Sequence, residues 1–253
     1  MPETVISLGY SQDNIHPKEH HMLLLYTYPR GFGQFSLSPF CVKAAAFLQL
    51  SGLNWSRRDF DDPRKMPQAK LPVLHTDERL IPDSNNIRRY LENEGAIFDP
   101  DLSDMQRAQS HALTRMAEEH LYFNLVLDRW GNDAVWPTIR DRYFANVPAL
   151  LRRPVANGLR RKLMQGLATH GIARFSDKDR LARVEQDLQA IQSCLWQSPF
   201  LMGNRPTSAD LSVGPMLAAI RSTPVQTPLS RRVAADAQLS DYIARLEDTV
   251  QLP

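Results

Sequence analysis

Cysteine is almost missing from this chain. Only Cys41 and Cys194 occur among 253 residues, so no disulfide framework and no cysteine-built zinc site can be assembled. An excess of charge is missing too: 30 Lys and Arg face 28 Asp and Glu, a formal +2. Nucleic-acid binders carry a concentrated basic field that this balance does not supply. Long apolar runs are absent. The longest candidate, Met22 to Tyr26, is strand-sized, far below the ~20 residues that span a bilayer. The first 21 residues lack the basic-then-apolar order of a secretory signal. No internal repeat or low-complexity tract occurs. The expectation is a protein of a reducing, cytoplasmic setting, with no nucleic-acid partner and no membrane association. Its 43% apolar and 23% charged residues are the balance of an ordinary globular protein, long enough for one large domain or two small ones.

Residues 1–21, with the polar stretch His16-Pro17-Lys18-Glu19-His20-His21, are read as an N-terminal tail rather than a metal site. Residues 22–95 then alternate strand and helix signals. Met22 to Tyr28 is a buried-strand pattern stopped by Pro29-Arg30-Gly31. Ser38-Pro39 opens a helix, with serine suited to the N-cap and proline to the first turn. Phe40, Cys41, Ala44, Ala45, Phe47 and Leu48 give that helix an apolar face, and Gly52 ends it. Asn54 to Phe60 fits a second strand. Leu71-Pro72-Val73-Leu74-His75 reads as a third, whose internal proline demands an edge or a special pairing. After a turn at 76–79, Leu80-Ile81-Pro82 is a short fourth strand and Asp83-Ser84 caps a second helix. The order β-α-β then β-β-α describes a small α/β layer. Past Gly95 and Pro100 the strand signals stop, and residues 103–253 read as all helix. Helices are expected at Met105–Trp130, Pro148–Thr169, Lys178–Gln197, Ala209–Arg221 and Gln238–Leu246.

Three phrases in this order resemble those of cytosolic glutathione transferases. Ala69-Lys70-Leu71-Pro72-Val73-Leu74 is similar to the family's Gly-Lys-Val-Pro-x-Leu strand. Asp83-Ser84-Asn85-Asn86-Ile87-x-x-Tyr90-Leu91 resembles its Glu-Ser-x-Ala-Ile-x-x-Tyr-Leu helix start. Phe200 to Asp210 resembles its capping-box helix. Within the superfamily, Ser38-Pro39-Phe40-Cys41-Val42-Lys43, Asp62 to Pro67, Lys70-Leu71-Pro72, Arg129-Trp130 and Gly171-Ile172-Ala173-Arg174 are similar to phrases of the failed-axon-connections and metaxin branch. That branch more often has Gly-Arg-His where this chain has Ala173-Arg174-Phe175.

The resemblance implies a thioredoxin-like α/β domain at 22–95, an all-α glutathione-transferase-type domain at 103–253, a homodimer, and glutathione as co-substrate with no metal. Ser38 becomes the candidate catalytic residue. A free thiol has a pKa near 8.5, and a hydroxyl hydrogen bond beside a helix N-terminus favours its thiolate. The same serine also reads as a plain N-cap, and the sequence leaves both open. For glutathione binding the resemblance implies a cis Leu71–Pro72 bond that frees the Leu71 backbone for the cysteinyl part. It also implies Lys70 at the glycyl carboxylate, and Asp83 with Ser84 at the γ-glutamyl end. Tyr122, Trp130, Trp136 and Tyr143 are candidates to line the pocket for a small hydrophobic electrophile, Tyr122 and Trp130 foremost.

Cys41 reads as a buried structural thiol, since Ser38 occupies the attacking position of a Cys-x-x-Cys motif. Thr207-Ser208-Ala209-Asp210 reads as a structural capping box. Arg152, Arg153, Arg160, Arg161 and Lys162 read as a solvated helix face. Two functions remain. One is a serine-type transferase that conjugates or reduces a small electrophile, with a part in detoxification. The other is a non-catalytic interaction protein of the same fold.

Overall fold

The computed structural model describes residues 22–253; the expected tail at 1–21 lies outside the described residues. Strand β1 (Leu23–Thr27) buries Leu23, Leu25 and Thr27 on alternate positions, the period-two pattern of a strand. Helix α1 (Pro39–Ser51) follows, with Pro39 in its first turn and Gly52 at φ 72° ending it. A non-glycine residue is disfavoured at that dihedral. β2 (Trp55–Asp59) returns parallel to β1. β3 (Val73–His75) runs antiparallel to β1, and β4 (Leu80–Pro82) antiparallel to β3. The sheet order is β2-β1-β3-β4, and α2 (Ser84–Asn93) leads away from it.

One expectation needs correcting. Pro72 is not inside the third strand: β3 begins at Val73, after a cis Leu71–Pro72 bond. β3 therefore pairs on both sides without losing a ladder N–H to proline, and Pro72 O instead accepts the Asp83 N–H at 3.2 Å.

The remaining described elements are helical. α3 (Asp104–Met116) starts at a Ser103–Gln106 capping box. Its axis runs on through a π-helical turn Ala117–Leu121, α4 (Tyr122–Val126) and a second π-helical turn Leu127–Gly131. The expected single helix to Trp130 is thus continuous in course but twice widened. α5 (Trp136–Tyr143) and α9 (Pro228–Ala234) are short and were not expected. α6 (Ala149–His170), α7 (Asp177–Leu195), α8 (Ser208–Arg221) and α10 (Ala237–Val250) agree with their signals to within a few residues.

α8 is the centre of the packing, with every residue from Ser208 to Ile220 buried. It packs on α1, α3, α9 and α10, so one apolar core joins Leu25, Phe47 and Ile87 of the sheet layer to Leu121, Leu217 and Leu246 of the helices. α10 comes so near α8 at Gly214 that an added Cβ would lie 2.1 Å from a Leu246 methyl.

Asp210 holds the start of α8. Its buried carboxylate accepts Leu201 N–H (2.9 Å), Thr207 N–H (2.8 Å), the Thr207 hydroxyl (2.7 Å) and the Tyr242 hydroxyl (3.0 Å). Four donors would lose their acceptor at once in Asp210→Ala, so its expected destabilisation is roughly 3 kcal/mol or more. In a protein of this size that lowers the melting temperature by about 6–12 °C. Thr207→Ala removes one of the four donors and costs about 1 kcal/mol. Thermal melts of the two variants test this ranking; an Asp210→Ala protein as stable as Thr207→Ala contradicts it.

Candidate functional site

A cavity of about 400 Å³ opens where α1 and α2 begin, and the helices from α3 to α6 form its other wall. Every foremost sequence candidate borders it: Ser38, Lys70, Leu71, Pro72, Asp83, Ser84, Tyr122 and Trp130. Tyr143 does so as well, whereas Trp136 does not. Trp136 is buried beside Trp130, with its indole N–H on Asn157 Oδ1 at 3.1 Å.

Ser38 occupies the N-cap position of α1 in extended conformation, and its carbonyl accepts the first helical N–H groups, from Cys41 and Val42. Its hydroxyl makes no capping bond. The side chain is half-buried, borders the cavity and lies within hydrogen-bonding reach of the Cys41 thiol. Three bonds pin the segment before it. Ser38 N donates to Ser36 Oγ at 3.3 Å, Tyr143 OH donates to Leu37 O at 2.8 Å, and Arg129 donates to the same carbonyl at 3.4 Å. Arg129 is itself buried and reaches Ala219 O and Thr223 Oγ1. Burial lowers its pKa from the usual guanidinium value. Cys41 lies beneath, fully buried, and burial pushes its thiol pKa up.

The start of α2 forms a second polar corner. Asp83 has a φ of 76°, and one carboxylate oxygen, Oδ1, accepts both Asn85 N–H (2.9 Å) and Asn86 N–H (3.2 Å). Asp83, rather than the Asp83–Ser84 pair, is the cap. Ser84 is the first helical residue, its hydroxyl buried and without a hydrogen-bond partner. Lys70 is exposed at the rim, after two 3₁₀ turns in which Gln68 and Ala69 adopt positive φ.

Behind that corner is a buried charge cluster that the sequence did not announce. Lys43 Nζ, on α1, meets Glu118 Oε1 and donates to Asn85 Oδ1 at 2.6 Å. Glu118, on the first π-helical turn, also accepts from Ser212 Oγ, Asn85 Nδ2 and Arg115. Desolvation lowers the Lys43 pKa while Glu118 opposes that shift. Arg160 departs from its expected solvated face: it turns inward to the carbonyls of Trp130 and Gly131 and to Asp133.

The opposite end of the cavity is apolar. Phe40 packs edge-on to Tyr122 with centroids 4.8 Å apart, and Phe123, Val126, Trp130 and Leu163 continue that wall. Burial raises the phenol pKa values of Tyr28, Tyr122 and Tyr143, so all three stay protonated at neutral pH. Among the described residues no group of three or more His, Cys, Asp or Glu is placed to hold a metal ion, and no helix is long and apolar enough to cross a membrane.

Comparison with known proteins agrees with this geometry. The model of the glutathione S-transferase N-terminal domain family matches residues 39–136, and that of the glutathione S-transferase C-terminal domain family matches residues 184–246. The chain is 29% identical to an isoprene-epoxide–glutathione S-transferase of Rhodococcus sp. strain AD45, over 89% of this chain and 98% of the relative. It is 26% identical to Failed axon connections of Drosophila melanogaster over 93% of this chain, which spans only 60% of that longer protein. In fold it resembles the crystal structure of glutathione transferase GSTFuA3 from Phanerochaete chrysosporium. That TM-score is 0.61 at 19% identity, covering 92% of this chain and 97% of the other. With two family models covering well over half its length, the chain belongs to the glutathione S-transferase superfamily.

Proposed function

We propose that the chain is a serine-type glutathione transferase acting on a small hydrophobic electrophile. The observation that carries this reading is the Ser38 hydroxyl. It stands at the N-terminus of α1 without serving as that helix's side-chain cap, in the same cavity as the cis Leu71–Pro72 bond and the unpartnered Ser84 hydroxyl. Glutathione fits the polar end. Its glycyl carboxylate goes to Lys70, its cysteinyl backbone to Leu71, and its γ-glutamyl head to the start of α2. The thiol then lies at Ser38, where a donated hydrogen bond and the helix dipole lower its pKa. The thiolate attacks the electrophile held against Phe40, Tyr122 and Trp130. If the electrophile is an epoxide, as in the name of the Rhodococcus relative, the new C–S bond forms as the C–O bond opens. The resulting alkoxide needs a proton, and the protonated phenols of the cavity wall can donate one.

The division into a thioredoxin-like domain at 22–95 and a helical domain at 103–253 belongs to this proposal. So do a homodimer, a cytoplasmic location and a part in detoxification. The match to Failed axon connections favours a second reading, a non-catalytic interaction protein of the same fold. Failure to bind glutathione would select that reading.

Three measurements test the transferase. Ser38→Ala should keep the fold and raise the thiol pKa of bound glutathione by roughly one pH unit or more, with about tenfold lost in rate for each ~1.4 kcal/mol. Thiolate absorbance against pH reads this directly, and an unchanged titration removes Ser38 from the chemistry. Asp83→Ala should weaken glutathione binding in calorimetry; equal affinity would exclude Asp83 from the site. Cys41 should label slowly with thiol reagents, and Cys41→Ala should keep turnover. Rapid labelling at neutral pH together with lost turnover would favour a redox mechanism instead.

A further inference from the structure

Helix α6 has two apolar sides, and the fold uses only one of them. On the inward side Ala156 and Leu167 are buried, Leu163 lines the cavity and Arg160 reaches the Trp130 carbonyl. The outward side carries Leu150, Leu151, Val155 and Leu159, which are 93%, 56%, 47% and 48% exposed. Leu151, Val155 and Leu159 follow at four-residue spacing, which sets them in one row along the helix. An added Cβ at Gly158, beside that row, would meet nothing within 4 Å. Single apolar residues are ordinary on a surface, but a contiguous row marks a place of interaction.

The charge around the row has one sign. The 22 residues of α6 include no Asp or Glu, and Arg153, Arg161 and Lys162 are exposed. Over residues 136–170 seven Arg and Lys stand against one acid, Asp141, and Arg140 holds that carboxylate. This stretch is therefore +6 in a chain whose sum is +2, and the rest is net acidic. The helix expected from the sequence to be simply solvated is basic and apolar together.

That pairing selects the partner. A nucleic acid would meet the cations but leave the leucines in water. A second copy would set one basic helix against another. An amphipathic acidic helix docks in a groove, whereas this is the convex side of a single helix. An anionic lipid surface answers both features, since leucines enter the headgroup boundary while long Arg and Lys stems carry their charges to the phosphates. We infer that the outward side of α6 docks on an anionic lipid surface, with Leu150, Leu151, Val155 and Leu159 inserted and Arg161 and Lys162 on lipid phosphates. The helix lies on the membrane and does not cross it, in keeping with its charge and its Pro154.

Sedimentation of the full chain with lipid vesicles tests this. Phosphatidylcholine vesicles with about one-third phosphatidylserine should bind at least roughly tenfold more tightly than phosphatidylcholine alone, and added salt should weaken the binding. Two double variants separate the contributions: Leu151→Ser with Leu159→Ser, and Arg161→Glu with Lys162→Glu. Each should weaken binding by about tenfold or more at an unchanged melting temperature, since none of the four residues borders the cavity. A wild-type chain that ignores the anionic vesicles overturns the assignment. Binding that responds to the charge variant but not to the leucine variant also overturns it, and points to a nucleic acid or an acidic protein. Self-association of the wild type that the leucine variant abolishes, without vesicle binding, gives the face to a second copy instead. Glutathione enters none of these measurements, so the transferase reading stands or falls separately.

Discussion

The Glu118 carboxylate is the joint on which the two halves of the molecule turn. It is buried and takes hydrogen bonds from four elements: Lys43 of α1, Asn85 of α2, Arg115 of α3 and Ser212 of α8. Removing a charge of this kind from water costs several kcal/mol, which only a full set of partners offsets. The partners are in the same position. Lys43 is as buried as Glu118; desolvation lowers its pKa, and Glu118 opposes that shift. Losing either member leaves an uncompensated buried charge, at a cost of about 3–5 kcal/mol. The two helix starts that border the cavity are therefore fixed to one another through the helical wall, not merely through the sheet.

The second π-helical turn repeats the arrangement at the other corner. Arg129 and Tyr143 converge on Leu37 O, one residue before Ser38. Each widened turn thus carries a buried charged side chain that fastens one corner of the cavity, Glu118 at α2 and Arg129 at α1. π-Helical turns are rare and recur at functional sites. Here they change which residues a long helix presents without interrupting it. The shared core supplies the bulk of the cohesion, and these clamps supply the register.

The sequence made the strands, α1, α2 and the cap of α8 legible because each depends on local signals: apolar alternation, Ser-Pro, Asp-Ser, Thr-x-x-Asp. The cis Leu71–Pro72 bond followed only from the family resemblance. The clamps were not legible. Lys43 lies on a helix with an apolar face, and nothing local distinguishes a buried lysine from a solvated one; its partner is 75 residues away. The π-helical turns escaped because Leu113, Leu121 and Leu125 keep an apolar stripe close to helical phase through them. The short helices α5 and α9 did leave a signal in Pro137 and in the Thr227-Pro228 start, but too few residues follow for a period to show. Pro72 was placed inside a strand because hydropathy cannot tell the residue before a strand from its first one.

What distinguishes Ser38 from Cys41 is one turn of helix. The thiol is the more reactive group in water, yet it lies on the buried face, where desolvation keeps it protonated and inert. The hydroxyl stands at the helix start, where the cap bonds are made by the backbone carbonyl. A hydroxyl is a poor nucleophile but an adequate donor, and a site that stabilises a thiolate brought in by a co-substrate needs only the donor. The same division runs along the cavity, with charge and open hydrogen-bonding atoms around α2 and protonated phenols and apolar rings towards α4 and α6. On the proposed transferase reading, a charged tripeptide takes one end and an apolar electrophile the other, and they meet where Ser38 stands.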